Sequence, residues 1–178
     1  LGFAVPALSE SLERSGSELL WIIDIYSFVL AGLLVTMGAL GDRIGRRRLL
    51  MFGAAGFSAA SVFAAFSTSP EMLIAARAML GVAGATLMPS TLSLIRNVFI
   101  DDRERQTAIA VWAAAFALGA ALGPIVGGLL LEQYWWGSVF LIGAPITLAL
   151  LIVAPRLVPE SSNPKPGPFD ITSAALSL

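Results

Sequence analysis

The chain of 178 residues is 57% hydrophobic and 13% charged, with a mean hydropathy of +0.83, too apolar for an ordinary soluble domain. It has no Cys and no His, which removes disulfides, thiolate metal sites and the commonest general base and metal ligand. Its net charge of -1 is gathered in clusters between apolar runs, with no basic stripe interleaved with aromatics, so nucleic-acid binding has no support.

Taken in order, residues 1–8 are apolar but too short to span a bilayer and lack the charged head of a signal peptide. They read as the outer end of a partial first helix, and the chain as a fragment of a longer membrane protein. Residues 9–18 are polar and acidic, and 19–40 form an apolar run of spanning length interrupted by one ionisable residue, Asp24. Next comes Gly38-Ala39-Leu40-Gly41-Asp42-Arg43-Ile44-Gly45-Arg46-Arg47-Arg48, a tight charged turn holding four of the eleven basic residues. Its glycines allow close approach and turning, and its arginines hold it in water.

A second span is expected over 49–67, then a short turn with Pro70 at a first helical position. The third span, 72–95, contains Arg77 and Pro89; a charged loop covers 96–107; the fourth span, 108–131, carries Gly119, Gly123, Pro124, Gly127 and Gly128. Residues 132–137 make an aromatic interfacial turn, and 139–154 are the last full span, containing Pro145. Residues 155–169 hold five prolines and read as a stiff linker, after which Asp170 caps the start of a further helix over 170–178. Arg43, Arg46, Arg47, Arg48, Arg96, Arg103, Arg105, Arg156 and Lys165 fall on one side and only Arg14 on the other. The positive-inside rule makes the basic loops and the linker cytoplasmic. The fold class is therefore all-α and polytopic: five full spans, a partial one before them and another begun after them.

The charged turn resembles the G-x-L-a-D-R-x-G-R-[RK] signature between the second and third helices of the major facilitator superfamily. Arg77-Ala78-Met79-Leu80-Gly81 is similar to that family's fourth-helix R-x-x-q-G signature, with Leu80 where Gln is common. Gly119-x-x-x-Gly123-Pro124-x-x-Gly127-Gly128 resembles the fifth-helix signature of its antiporter branches. The stretches 20–27 and 88–95, and Trp136-x-Ser138-x-Phe140, look like the fourteen-helix drug:proton antiporters of the QacA type. The resemblance implies the amino-terminal six-helix half of the fold, in a bacterial inner membrane, exchanging drug cargo for protons. It implies no bound cofactor, a proton gradient as driving force, and membrane lipids and the carboxy-terminal half as partners.

A carboxylate within a span is costly against lipid, so Asp24 is expected to face the cavity, where proton and cationic cargo compete for it. The plainer alternative is an interfacial residue reaching water. Arg77 is expected to face the same central hollow and to tune a carboxylate or hold relay water; the alternative is a clamp onto backbone carbonyls. Gly119, Gly123 and Gly127 repeat every fourth residue, suited to close helix contact, and Pro124 to a bend that seals a path. In the switch turn (Gly38, Asp42, Arg43, Gly45, Arg46, Arg47), Asp42 can pair with an arginine or accept backbone N–H groups. The resemblance further implies that it grips the other half. Trp21, Tyr26, Met88 and Trp112 are possible cargo contacts, and no metal site is expected.

The reading is a proton-coupled exporter of lipophilic, cationic drugs or dyes, not an enzyme. The alternatives are the same fold exporting a neutral antibiotic, lipid or metabolite, and a membrane-embedded structural or partner-binding fragment without transport.

Overall fold

A computed structural model describes residues 16–160 of the chain. The expected partial helix over 1–8, the linker beyond 160 and the helix expected over 170–178 lie outside them. Six helices follow one another: α1 (Gly16–Ile44), α2 (Arg46–Ala65), α3 (Pro70–Val98), α4 (Asp102–Gln133), α5 (Ser138–Leu141) and α6 (Gly143–Leu157). Among the described residues five stretches are long and apolar enough to cross a membrane, α5 and α6 together making the fifth.

The helices are longer than the apolar runs that predict them. At 29 residues α3 extends about 43 Å, against a hydrocarbon core of about 30 Å, so its ends project into polar surroundings. Local caps explain several of these ends. Ser69 accepts a hydrogen bond from the Met72 amide ahead of Pro70, and Asp101 accepts from the amides of Arg103 and Glu104. The expected charged loop over 96–107 is therefore helical at both margins and shrinks to Phe99, Ile100 and Asp101.

Prolines act where their missing N–H is felt. Pro145 cannot donate to the carbonyl of Leu141, and the last span breaks at Ile142 into α5 and α6 although the backbone there keeps helical angles. Pro155, expected to open the linker, instead sits inside the last turns of α6, which continues to Leu157. Pro89 and Pro124 lie within α3 and α4 without ending them.

Packing is centred on α3, which lies against α1 on one side and α2 on the other, while α2 also packs against α6. α1 and α3 run in the same direction with Gly81 beside Tyr26 and Val29, Gly84 beside Leu30 and Gly38 beside Pro89. α2 runs opposite to α3, with Gly53 facing Thr86 and Leu87, and Gly56 facing Ala83. Small residues dominate these seams: Ala54, Ala60, Ala64, Ala76 and Ala85 are wholly buried. In lipid, close packing of this kind, rather than hydrophobic burial, draws helices together. Between α2 and α6, Ser58 Oγ and Thr147 Oγ1 share a hydrogen bond of 2.5 Å. α4 stands apart and touches α3 and α5 only lightly.

The α1–α3 seam depends on the bare Cα of Gly81. A Cβ there would lie 2.8 Å from the Tyr26 carbonyl oxygen and 3.0 Å from Val29 Cβ, neither of which can yield without moving α1. Gly81→Val is expected to destabilise the full-length protein in detergent by about 1–3 kcal/mol. Gly56→Ala, whose Cβ would meet Ala83 at an ordinary 3.7 Å, should change stability by no more than about 0.5 kcal/mol. Thermal unfolding of both variants beside wild type checks the contrast.

Candidate functional site

Arg77 is the one buried cation among the described residues, with 7% of its surface exposed. It lies seven residues past Pro70, about 10 Å down the axis of α3. Its Nε donates to the carbonyl oxygen of Ile22 at 2.9 Å and its Nη2 to that of Ile23 at 3.0 Å. A helical carbonyl has two lone pairs and gives only one to its own helix, so α1 can accept these bonds without losing a turn. The guanidinium also sits over the Tyr26 ring, 4.7 Å from its centroid. Arg77 thus has the clamp geometry, and its partner is the backbone of α1.

The same side chain faces a cavity of about 560 Å³ whose walls come from all the long helices. Tyr26, Phe57 and Phe140 supply aromatic surface, Ser61 a hydroxyl, and Gly123, Pro124 and Gly127 an unobstructed face of α4. Its volume falls within the range of small-molecule pockets, roughly 300–1,000 Å³. Among the described residues Arg77 is the only charged one in its wall. Among the described residues no group of three or more Asp, Glu, His or Cys is placed to hold a metal ion.

Asp24 and Arg77, expected to share a central hollow, do not meet. Position 24 is about 200° around the helix from position 22, which is buried against α3. Asp24 instead lies on the exposed stripe of α1 with Leu20, Ser27, Phe28 and Val35. The expected cargo contacts are dispersed as well. Trp21 is 55% exposed; one face of Tyr26 is covered by Arg77; Trp112 stacks on Phe116 within α4, ring centres 6.2 Å apart; and Met88 is half-buried in α3. Along Gly119, Gly123, Gly127 and Gly128, a Cβ would meet nothing within 4 Å among the described residues, so this stripe faces open space and the cavity.

The arginine turn is tighter than its sequence predicts. α1 continues through Asp42 and Arg43, and the chain reverses at the single residue Gly45, whose φ of 105° favours glycine. Asp42 accepts from Arg46 Nε at 2.9 Å and Nη2 at 2.7 Å, one of the two arrangements expected of it. Gly41 lies against Leu49, and Gly38 against Pro89. Arg43 and Arg48 are exposed, and Arg47 bonds to the carbonyl of Val158 and the carboxylate of Glu160.

Sequence reasoning did not single out Glu160, nor Phe57, Ser61 and Phe140 in the cavity wall. For Glu160 a signal existed: four clustered arginines face one nearby carboxylate, and Glu160 is the first acidic residue after the last span. The cavity residues carry no such mark, because one Phe or Ser on an apolar helix is indistinguishable from its neighbours.

Removing the clamp should loosen α1 from α3. Arg77→Met is expected to cost about 2 kcal/mol, between charge-assisted bonds in water-soluble proteins and the smaller average for bonds inside membranes. Arg77→Lys should recover less than half of that, since one ammonium cannot span two successive carbonyls as a planar fork does. Thermal unfolding of the full-length protein in detergent measures both.

The family model described as Major Facilitator Superfamily matches residues 1–177. The chain is 60% identical over all of its length to the "Multidrug efflux pump LfrA" of Mycolicibacterium smegmatis, of which it covers 35%. It is 48% identical, again over its whole length, to the "Methyl viologen resistance protein SmvA" of Salmonella typhimurium, covering 36% of that protein. It therefore spans about a third of the length of these curated relatives. Among solved structures, a peptide transporter, POT, in complex with sulfate superposes with a TM-score of 0.78 at 21% identity, covering 95% of this chain and 36% of that one. That likeness shows the fold alone, a bundle of long helices. The chain belongs to the Major Facilitator Superfamily.

Proposed function

We propose that the chain is the amino-terminal six-helix half of a proton-coupled exporter that moves lipophilic, cationic drugs or dyes out of a bacterial cell. The observation that carries this reading is the 60% identity, over the whole chain, to a protein named as a multidrug efflux pump. A second relative is named for resistance to methyl viologen, an organic dication, which supports cationic cargo. The side bearing the arginine turn and the 96–105 segment is cytoplasmic in this reading, because basic loops are retained inside. Exchange of a proton for a cation draws on the membrane potential at about 2.3 kcal/mol per charge per 100 mV, so the stoichiometry decides how far cargo is concentrated.

Residue roles follow from placement. Asp24, on the exposed stripe of α1 beside Trp21 and Phe28, is the group at which protons and cationic cargo compete once the rest of the protein closes over that face. Arg77 acts on coupling through α1: by holding Ile22 and Ile23 it fixes the height and rotation of Asp24 one residue further on. The glycine face of α4 and Pro124 serve as the wall against which a further helix seals. The arginine turn, with Asp42 held by Arg46, is the element that shifts between inward- and outward-open states.

A second reading has its own observation. Among the described residues the Arg77 cavity presents a fixed positive charge and no acidic side chain, which favours a neutral, acceptor-rich cargo over a cation at that place.

The test is ethidium efflux from cells expressing the full-length protein, with and without a protonophore. Gradient-dependent efflux is expected, with Asp24→Asn lowering the rate at least tenfold while leaving protein abundance unchanged. Efflux indifferent to the gradient, or an Asp24→Asn variant as active as wild type, would refute the coupling role.

A further inference from the structure

Glu160 reaches across 113 residues of chain to the hinge between α1 and α2. Its Oε1 accepts from the Arg47 backbone amide at 3.2 Å, and its Oε2 lies 3.7 Å from Arg47 Nε and 3.6 Å from Arg48 Nε. Arg47 Nη1 also donates to the carbonyl of Val158 at 3.1 Å. The carboxylate rests directly over Gly45, where a Cβ would fall 2.7 Å from its carboxyl carbon. Gly45 therefore serves twice: it permits the positive φ of the hinge and leaves room for a carboxylate above it.

α2 needs this group. Its first turn holds three arginines and no acidic residue, and Gly45 offers no side-chain cap. The leading amides of a helix have no partner of their own, and the positive end of the helix dipole adds to the arginine charge. Glu160 answers both from 113 residues further along the chain.

We propose that residues 158–160 form a reversible strap across the α1–α2 hinge, closed in this conformation and released when the two helices pivot about Gly45. The contacts suit release. Arg48 is 70% exposed, and both charge pairs are longer than a bonded ion pair, so water and salt compete for them. Apolar contact holds only one end of the strap: Val158 packs, half-buried, against Leu50, Leu94 and Ala154, while Pro159 and Glu160 are exposed. A permanent anchor would bury these groups; this one leaves them where a small motion separates them.

Two measurements on the full-length protein test the strap. Deuterium exchange at the Arg47 amide is expected to accelerate at least tenfold in Glu160→Gln, and to a similar extent in wild type on raising salt from about 0.05 M to about 0.5 M, which shortens the Debye length from about 14 Å to about 4 Å. Unchanged exchange in both would overturn the strap, whatever the protein transports. In the second arm, Arg48→Cys and Glu160→Cys are bridged by a cleavable bis-maleimide in a background freed of other cysteines. Bridging should cut gradient-driven ethidium efflux at least tenfold, leave ethidium binding within twofold, and be undone by cleaving the bridge. Full-rate efflux from the bridged protein would overturn release. An unbridged protein that exports nothing would instead count against the export reading, leaving exchange to decide the strap.

Discussion

A guanidinium inside a membrane-spanning helix must find acceptors that lipid cannot offer, and the α1–α3 pair is arranged around meeting that need. A charged side chain at such depth costs at least a few kcal/mol if left to hydrocarbon. Arg77 meets the cost with two consecutive carbonyls of α1 and the face of Tyr26. Those bonds need the helices close, and closeness is supplied by Gly81 and Gly84 directly below, where side chains of α1 lie within van der Waals reach of bare Cα positions. Polar clamp and small-residue seam are one device: the first fixes register, the second fixes distance.

The two ends of the bundle are built on different principles. At the end holding Gly45, charge organises the structure: Asp42 with Arg46, Glu160 with Arg47 and Arg48, and Arg105 with Asp102. At the opposite end, aromatic and backbone packing does so. Phe66 and Trp135 lie 6.2 Å apart, Trp136 meets Phe140 edge to face, and Gly137 fits against the Ala65 carbonyl with no space for a side chain. Water-exposed charge pairs exchange partners readily, whereas packed rings do not.

Much of this was legible beforehand because the membrane imposes strong rules. Apolar runs of spanning length gave the helices, and Ser69-Pro70 gave a boundary that the structure keeps. For Asp42 the sequence left two partners open, an arginine or backbone N–H groups, and the structure has the arginine, one helical turn on. Helix ends were less legible, since capped helices such as α4 continue past the apolar run into water. Which way Asp24 faces could not be read at all: it depends on the rotation of α1, set by an arginine more than fifty residues away. The Glu160 contact was only faintly marked, by a carboxylate following the last span, because it pairs sites that only the folded bundle brings together.

The most direct measurement of the central claim is a pair of cryo-electron-microscopy structures of the full-length protein, one open to each side of the membrane. If α1 and α3 move as one clamped unit, Arg77 will stay within hydrogen-bonding distance of the Ile22 and Ile23 carbonyls in both. A guanidinium that leaves those carbonyls in either state, with α1 sliding or turning against α3, would contradict the account.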